Sequence, residues 1–111
     1  MSSIKTPTSL VSKASELDKI VDKLRQEEVI AFDTEFIRES TFFPKLEILQ
    51  LATSSDIWLV DVPAFRDCQA ELQPILDVLE DSSILKIVHA SQGDQECLYT
   101  AFGAVARNTL D

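Results

Sequence analysis

Asp33 and Glu35 stand two residues apart in Val29-Ile30-Ala31-Phe32-Asp33-Thr34-Glu35-Phe36, a stretch that is otherwise mostly apolar and reads as a buried strand. Side chains alternate along a strand, so Val29, Ala31, Asp33 and Glu35 share one face, with the two acids adjacent near its C-terminal end. Like charges in a half-buried place repel. Either one carboxyl keeps its proton, with a raised pKa, or a bound cation turns the repulsion into attraction. Adjacent oxygen-only ligands suit magnesium or manganese. The competing reading is a strand-end pair hydrogen-bonded to nearby amides, with Lys86 or Arg38 as partner. We place it below the metal, because two carboxylates on one face of a buried strand are costly unless paired or coordinated.

A third acid points the same way. Asp94, Cys97, Leu98 and Ala101 follow the i, i+3, i+4, i+7 pattern of a helix, which turns Asp94 along the stripe that buries. On its own Asp94 reads as a helix stabiliser, since Ser91-Gln92-Gly93-Asp94 has capping-box spacing. That reading weakens if the strand before this helix lies parallel to the acid-bearing one. Their C-terminal ends would then adjoin, and the carboxylates would converge on one rim, where ligands gather in parallel sheets.

The elements that must achieve this are legible in outline. Val11, Ala14, Leu17, Ile20, Val21 and Leu24 predict an amphipathic helix to about Gln26, with Ser12 or Ser15 as N-cap. After the acid-bearing strand comes a polar and aromatic loop to Lys45, then strands over Leu46–Ala52 and Ile57–Val62, giving an antiparallel meander. Leu72, Ile75, Leu76 and Leu79 mark a second helix. Ile84–His89 is a fourth strand, reached by a helical crossover that favours parallel pairing with the first. A third helix runs from about Gln92 to Phe102 with Gly103 as its cap, and Ala104–Asp111 opens a fifth strand.

Composition narrows the classes. With 111 residues and 45% hydrophobic content the chain has room for one domain. It shows neither a signal core nor a membrane-length apolar run, so a soluble cytoplasmic protein is expected. Cys68 and Cys97 have no metal-like spacing and read as buried free thiols. A net charge of -9 argues against long nonspecific duplex binding, although a site that grips a few nucleotides through cations needs less basic surface.

Phe32-Asp33-Thr34-Glu35-Phe36, Leu46-Glu47-Ile48-Leu49-Gln50-Leu51-Ala52, Lys86-Ile87-Val88-His89-Ala90-Ser91-Gln92-Gly93-Asp94 and Asn108-Thr109-Leu110-Asp111, in this order, resemble the ribonuclease D branch of the DEDD 3′-to-5′ exonucleases. The likeness covers about residues 12–111. It implies an α/β fold: a ribonuclease H-like mixed sheet, an antiparallel three-strand meander plus a parallel strand, flanked by helices. Residues 10–111 would form a partial exonuclease domain behind a flexible lead-in at 1–9. The domain is expected to be truncated, because the family's last motif, an acid on a later helix with a tyrosine or histidine one turn before it, is not reached; Tyr99 lies beside Asp94 and does not match that role.

By this resemblance Asp33 bridges two divalent ions (Mg2+ or Mn2+), Glu35 binds one and approaches the terminal 3′ hydroxyl, and Asp94 supports the second, partly through water. The ions activate a water and stabilise the attacking and leaving oxygens at the last phosphodiester, releasing nucleoside monophosphates. The implied partner is the 3′ end of RNA, such as a transfer RNA precursor. Phe36, Arg38, Phe42 and His89 are the candidate substrate contacts, weighed against Phe42 folding under its loop and His89 fixing a turn. Gln50 reads as a backbone-bonding residue at a sheet edge. With one ligand motif missing we expect little or no turnover from these 111 residues alone. The alternative is a catalytically inactive remnant that binds protein or RNA, and self-association through exposed sheet is expected.

Overall fold

The computed structural model describes residues 10–37, 45–89 and 91–111. Arg38, Phe42 and the 1–9 lead-in lie outside the described residues. In chain order the elements are β1 (Leu10–Val11), α1 (Ala14–Arg25), β2 (Val29–Ile37), β3 (Lys45–Ala52), β4 (Ile57–Asp61), α2 (Gln73–Glu80), β5 (Leu85–Ile87), α3 (Ser91–Phe102) and β6 (Thr109–Leu110). They build one six-stranded sheet of order β1-β4-β3-β2-β5-β6.

Alternation builds the centre of this sheet. In β2, Ile30, Phe32 and Thr34 are buried, whereas on the alternate positions Val29, Asp33 and Glu35 are exposed and Ala31 is half-buried. β3 runs antiparallel beside it, with Leu51 opposite Phe32, Leu49 opposite Thr34 and Gln50 opposite Asp33. β4 completes the meander with Val60 opposite Leu49. Two 3-10 turns (Val62–Phe65 and Gln69–Leu72) and α2 then carry the chain back to β5. That strand pairs parallel with β2, placing Lys86 opposite Ile30. Parallel neighbours require such a crossover, and here it ends β5 beside Ala31, so that the chain leaves β5 alongside the Asp33 stretch of β2.

The helices share one core with a single sheet face. Leu17, Ile20 and Leu24 of α1, Ile75, Val78 and Leu79 of α2, and Cys97 and Leu98 of α3 cluster with Ile30, Phe32, Leu49, Leu51 and Val60. Trp58 and Phe102 pack against this cluster, as expected of core residues. On the other face Leu10, Val29, Ile87 and Leu110 are 44, 44, 46 and 57% exposed. Asp33 and Glu35 therefore stand on an open face, which corrects the half-buried setting expected from their apolar neighbours.

Other expectations shift for local reasons. α1 begins after Lys13, which makes no side-chain cap, and Ser15 lies inside the first turn. Glu16 in that turn and Lys23 and Arg25 in the last match the helix dipole instead. Gly103 does end α3, at φ +69, its N–H donating to the Tyr99 carbonyl at 2.8 Å. The expected fifth strand contracts to Thr109–Leu110, entered through Asn108 at φ 59. Cys97 is buried but Cys68 is exposed, in the connection before the second 3-10 turn. Among the described residues no helix is long and apolar enough to cross a membrane.

Candidate functional site

Asp33 and Asp94 meet at Thr34. The Thr34 backbone N–H points at Oδ1 of both, at 2.9 Å for Asp33 and 3.2 Å for Asp94. The Thr34 hydroxyl donates a second bond to the same Asp94 oxygen at 2.6 Å. Each element contributes to this. The pleat that turns Asp33 to the open face turns Thr34 inward, and β5 pairs parallel beside β2, so α3 starts at the C-terminal half of β2. Asp94, in the first turn of α3, is 3% exposed and faces inward, as its helical position predicts.

The Asp94 carboxylate spans the α3–β2 interface, so the local capping-box reading does not describe it. Its Oδ2 is buried and has no hydrogen-bond partner. Burial holds the Asp94 carboxyl above its ordinary range; the Thr34 hydroxyl pulls it down, while the nearby Asp33 charge adds to the rise. An orphaned buried carboxylate oxygen beside a second acid is the kind of donor a hard cation satisfies. On donor chemistry the residues fit a divalent ion.

Glu35 does not complete that pair. Among the described residues, no group of three or more His, Cys, Asp and Glu side chains lies close enough to hold an ion. The expected convergence of three carboxylates is thus realised for Asp33 and Asp94 only. Positions i and i+2 of a strand are about 7 Å apart, and like charges on an exposed face gain nothing by approaching without a cation between them. Lys86 is not a counter-charge either. It sits on the packed face, 0% exposed, with its ammonium donating to the carbonyls of Asp81 and Arg107, because the β5 register places it opposite buried Ile30.

Beside Asp33 a cleft of about 290 Å3 opens, with Ala31, Ala52 and Ile87 in its apolar lining and Gln50 and His89 as its other polar members. Gln50, expected at a sheet edge, lies in the central strand β3 opposite Asp33. His89 is exposed and reaches the same cleft. Phe36 is 39% exposed near the end of β2, beyond the bulge that follows Glu35. Sequence reasoning missed Thr34. The available signal was its position between two outward acids, which alternation alone turns toward whatever covers the other face.

The family model for 3′-5′ exonucleases matches residues 8–111. Ribonuclease D of Bartonella henselae is 33% identical over 102 residues, covering 92% of this chain and 24% of that protein. The crystal structure of Escherichia coli RNase D, described as an exoribonuclease involved in structured RNA processing, superposes with a TM-score of 0.80 at 27% identity, over 93% of this chain and 26% of that one. A crystal structure of the EXD2 exonuclease domain soaked in Mg and GMP gives a TM-score of 0.74 at 30% identity, over 92% of this chain and 54% of that one. The chain spans about a quarter of the length of the ribonuclease D relatives, 24% and 26% in these two cases.

Proposed function

The chain belongs to the 3′-5′ exonuclease family, and from that membership we propose that it carries a metal-dependent exoribonuclease site of the ribonuclease D type, acting on the 3′ end of RNA. The observation that carries the proposal is the meeting of Asp33 and Asp94 at one Thr34 amide, with Oδ2 of Asp94 buried and unpartnered. Asp33 and Asp94 would hold divalent ions, Mg2+ or Mn2+ and two of them in the full reading, with Glu35 drawn in from its exposed position. When bound, such ions supply activation of the attacking water and neutralisation of the charge that grows on the phosphoryl oxygens. The chain's own part is orientation. The cleft beside Asp33 offers an apolar floor for a terminal nucleotide, with His89 at its rim and Phe36 on the same strand as Asp33 and Glu35. Phe42 and Arg38 are further substrate contacts in the proposal. Structured RNA, such as a transfer RNA precursor, is the proposed substrate, in line with the Escherichia coli relative.

One observation favours a second reading. Because no three-ligand cluster is formed among the described residues, the chain alone suits a silent module that binds RNA or protein through the same fold. Calorimetric titration of Mn2+ into the 111-residue chain, beside Asp33→Asn and Asp94→Asn, separates the two when the same samples are incubated with 3′-labelled RNA. Binding by the wild type that is lost in both variants, with mononucleotide release lost alongside, supports the enzyme. RNA binding without release or metal affinity supports the module. The open sheet face adds a proposal of self-association, since Val29, Ile87 and Leu110 are exposed there.

A further inference from the structure

Among the described residues, Thr34, Lys86 and Asp94 are the buried polar side chains. The Lys86 ammonium bonds to backbone carbonyls at the far end of its strand. Thr34 and Asp94 bond to each other. Thr34 occupies a core position, 8% exposed, in line with Phe32 on its own strand and opposite Leu49 on the next. An apolar side chain is the ordinary occupant of such a place, and a hydroxyl there is costly unless it is bonded. At 2.6 Å to a carboxylate oxygen, this bond has the short length of a charge-assisted one.

Its effect is selective. Oδ1 of Asp94 receives both the hydroxyl and a share of the Thr34 N–H, whereas Oδ2 receives nothing. The Asp94 side chain is thereby anchored through Oδ1, with that oxygen committed to β2 and the other left open. The β-branch of Thr restricts χ1, so the donor itself has little freedom to turn away. We infer that Thr34 is a positioning residue of the proposed ion site: its hydroxyl takes up Oδ1 of Asp94 and presents Oδ2 as the oxygen available to a cation. This inference rests on the metal reading given above. Groups that orient a ligand in this way are commonly worth about 10–100-fold in metal affinity.

Thr34→Val keeps shape and packing but removes the donor, leaving Oδ1 with only part of a shared amide. Thr34→Ser restores the hydroxyl without the methyl. Mn2+ affinity is to be measured by electron paramagnetic resonance for the wild type and both variants, together with the three-bond couplings that report Asp94 χ1 in the metal-free chains. We expect Thr34→Val to bind about tenfold more weakly or worse, Thr34→Ser to recover most of the loss, and Asp94 χ1 to be averaged only in the Val variant. Equal affinity in wild type and Val, or a Ser variant as weak as Val, overturns the inference. If the wild type binds no Mn2+, the metal reading fails for this chain and the couplings alone decide: χ1 fixed in wild type and Ser but averaged in Val upholds positioning of the carboxylate by Thr34, and χ1 unchanged in all three overturns it. Should Val fail to fold, Ser with and without Mn2+ carries the comparison, and the inference fails if its affinity drops as far as tenfold while its χ1 stays fixed.

Discussion

Asp94 carries its carboxylate at 3% exposure, with one oxygen accepting two hydrogen bonds from Thr34 and the other unpartnered, and it feels the charge of Asp33 nearby. Burial and the Asp33 charge raise its pKa, so the folded chain holds that proton more tightly than the unfolded chain does. For an acid shifted in this direction, stability is greatest below the unfolded pKa and declines as pH rises through the folded value. We therefore expect the metal-free wild type to lose thermal stability as pH climbs through and above the ordinary carboxylate range. Asp94→Asn should lack that slope and melt at a higher temperature at neutral pH. Thermal melts across a pH series test this, and a variant that melts lower at neutral pH would show the ionised carboxylate to be a net stabiliser. The placement of Asp33 and Glu35 on one face was legible because alternation is a local property. The Thr34–Asp94 bond was not, because it joins residues 60 apart in sequence and depends on which strand lies parallel to which.

At the scale of elements, the corner between α2, β5 and β6 is held by one lysine. Lys86 Nζ bonds to the carbonyl of Asp81, which follows α2, and at 3.0 Å to that of Arg107, which precedes β6. Around it Asp81 binds Ser83, which holds its carboxyl down to about 2, and Asn108 Nδ2 donates to the Ser82 carbonyl at 2.9 Å. Lys86→Ala removes a fully buried stem and leaves two carbonyls without their donor, for which we expect a loss of about 2–4 kcal/mol in urea unfolding. Lys86→Met keeps much of the packing and should lose less; an Ala variant within about 0.5 kcal/mol of wild type would show the corner to be held by other contacts. The sequence marked this segment as a strand, but a lysine inside an apolar run looked like a partner for the acids. Register with β2, not composition, sends it to the opposite face. β1 escaped for a different reason: two residues are too few for periodicity to speak, and it exists as a strand only by pairing with β4, while the same shortness left the strand expected over 104–111 longer than the Thr109–Leu110 that pairs with β5.

At the scale of the whole molecule, one sheet face packs against the helices while the other presents Leu10, Val29, Ile87 and Leu110 beside the acids. Sequence patterning separates the two sides of a strand but does not say how many sides are covered. That is why Asp33 and Glu35 proved more exposed than their neighbours suggested. Six strands at about 4.8 Å spacing make a face roughly 25 Å across, and contiguous apolar surface beyond a few hundred Å2 is uncommon on soluble monomers. Opposing this attraction is a net charge of -9 on each chain, so any association of two copies works against mutual repulsion. The balance has a definite sign with ionic strength, because salt screens the repulsion and leaves apolar burial in place. Sedimentation velocity at increasing protein concentration should show reversible association that strengthens with added salt. The double variant Val29→Lys with Ile87→Lys should return the chain to monomer with little change in its melting point, since both side chains are exposed. Association that weakens with salt would instead place charged pairs at the contact, and an unchanged oligomer in the double variant would move the contact away from this face.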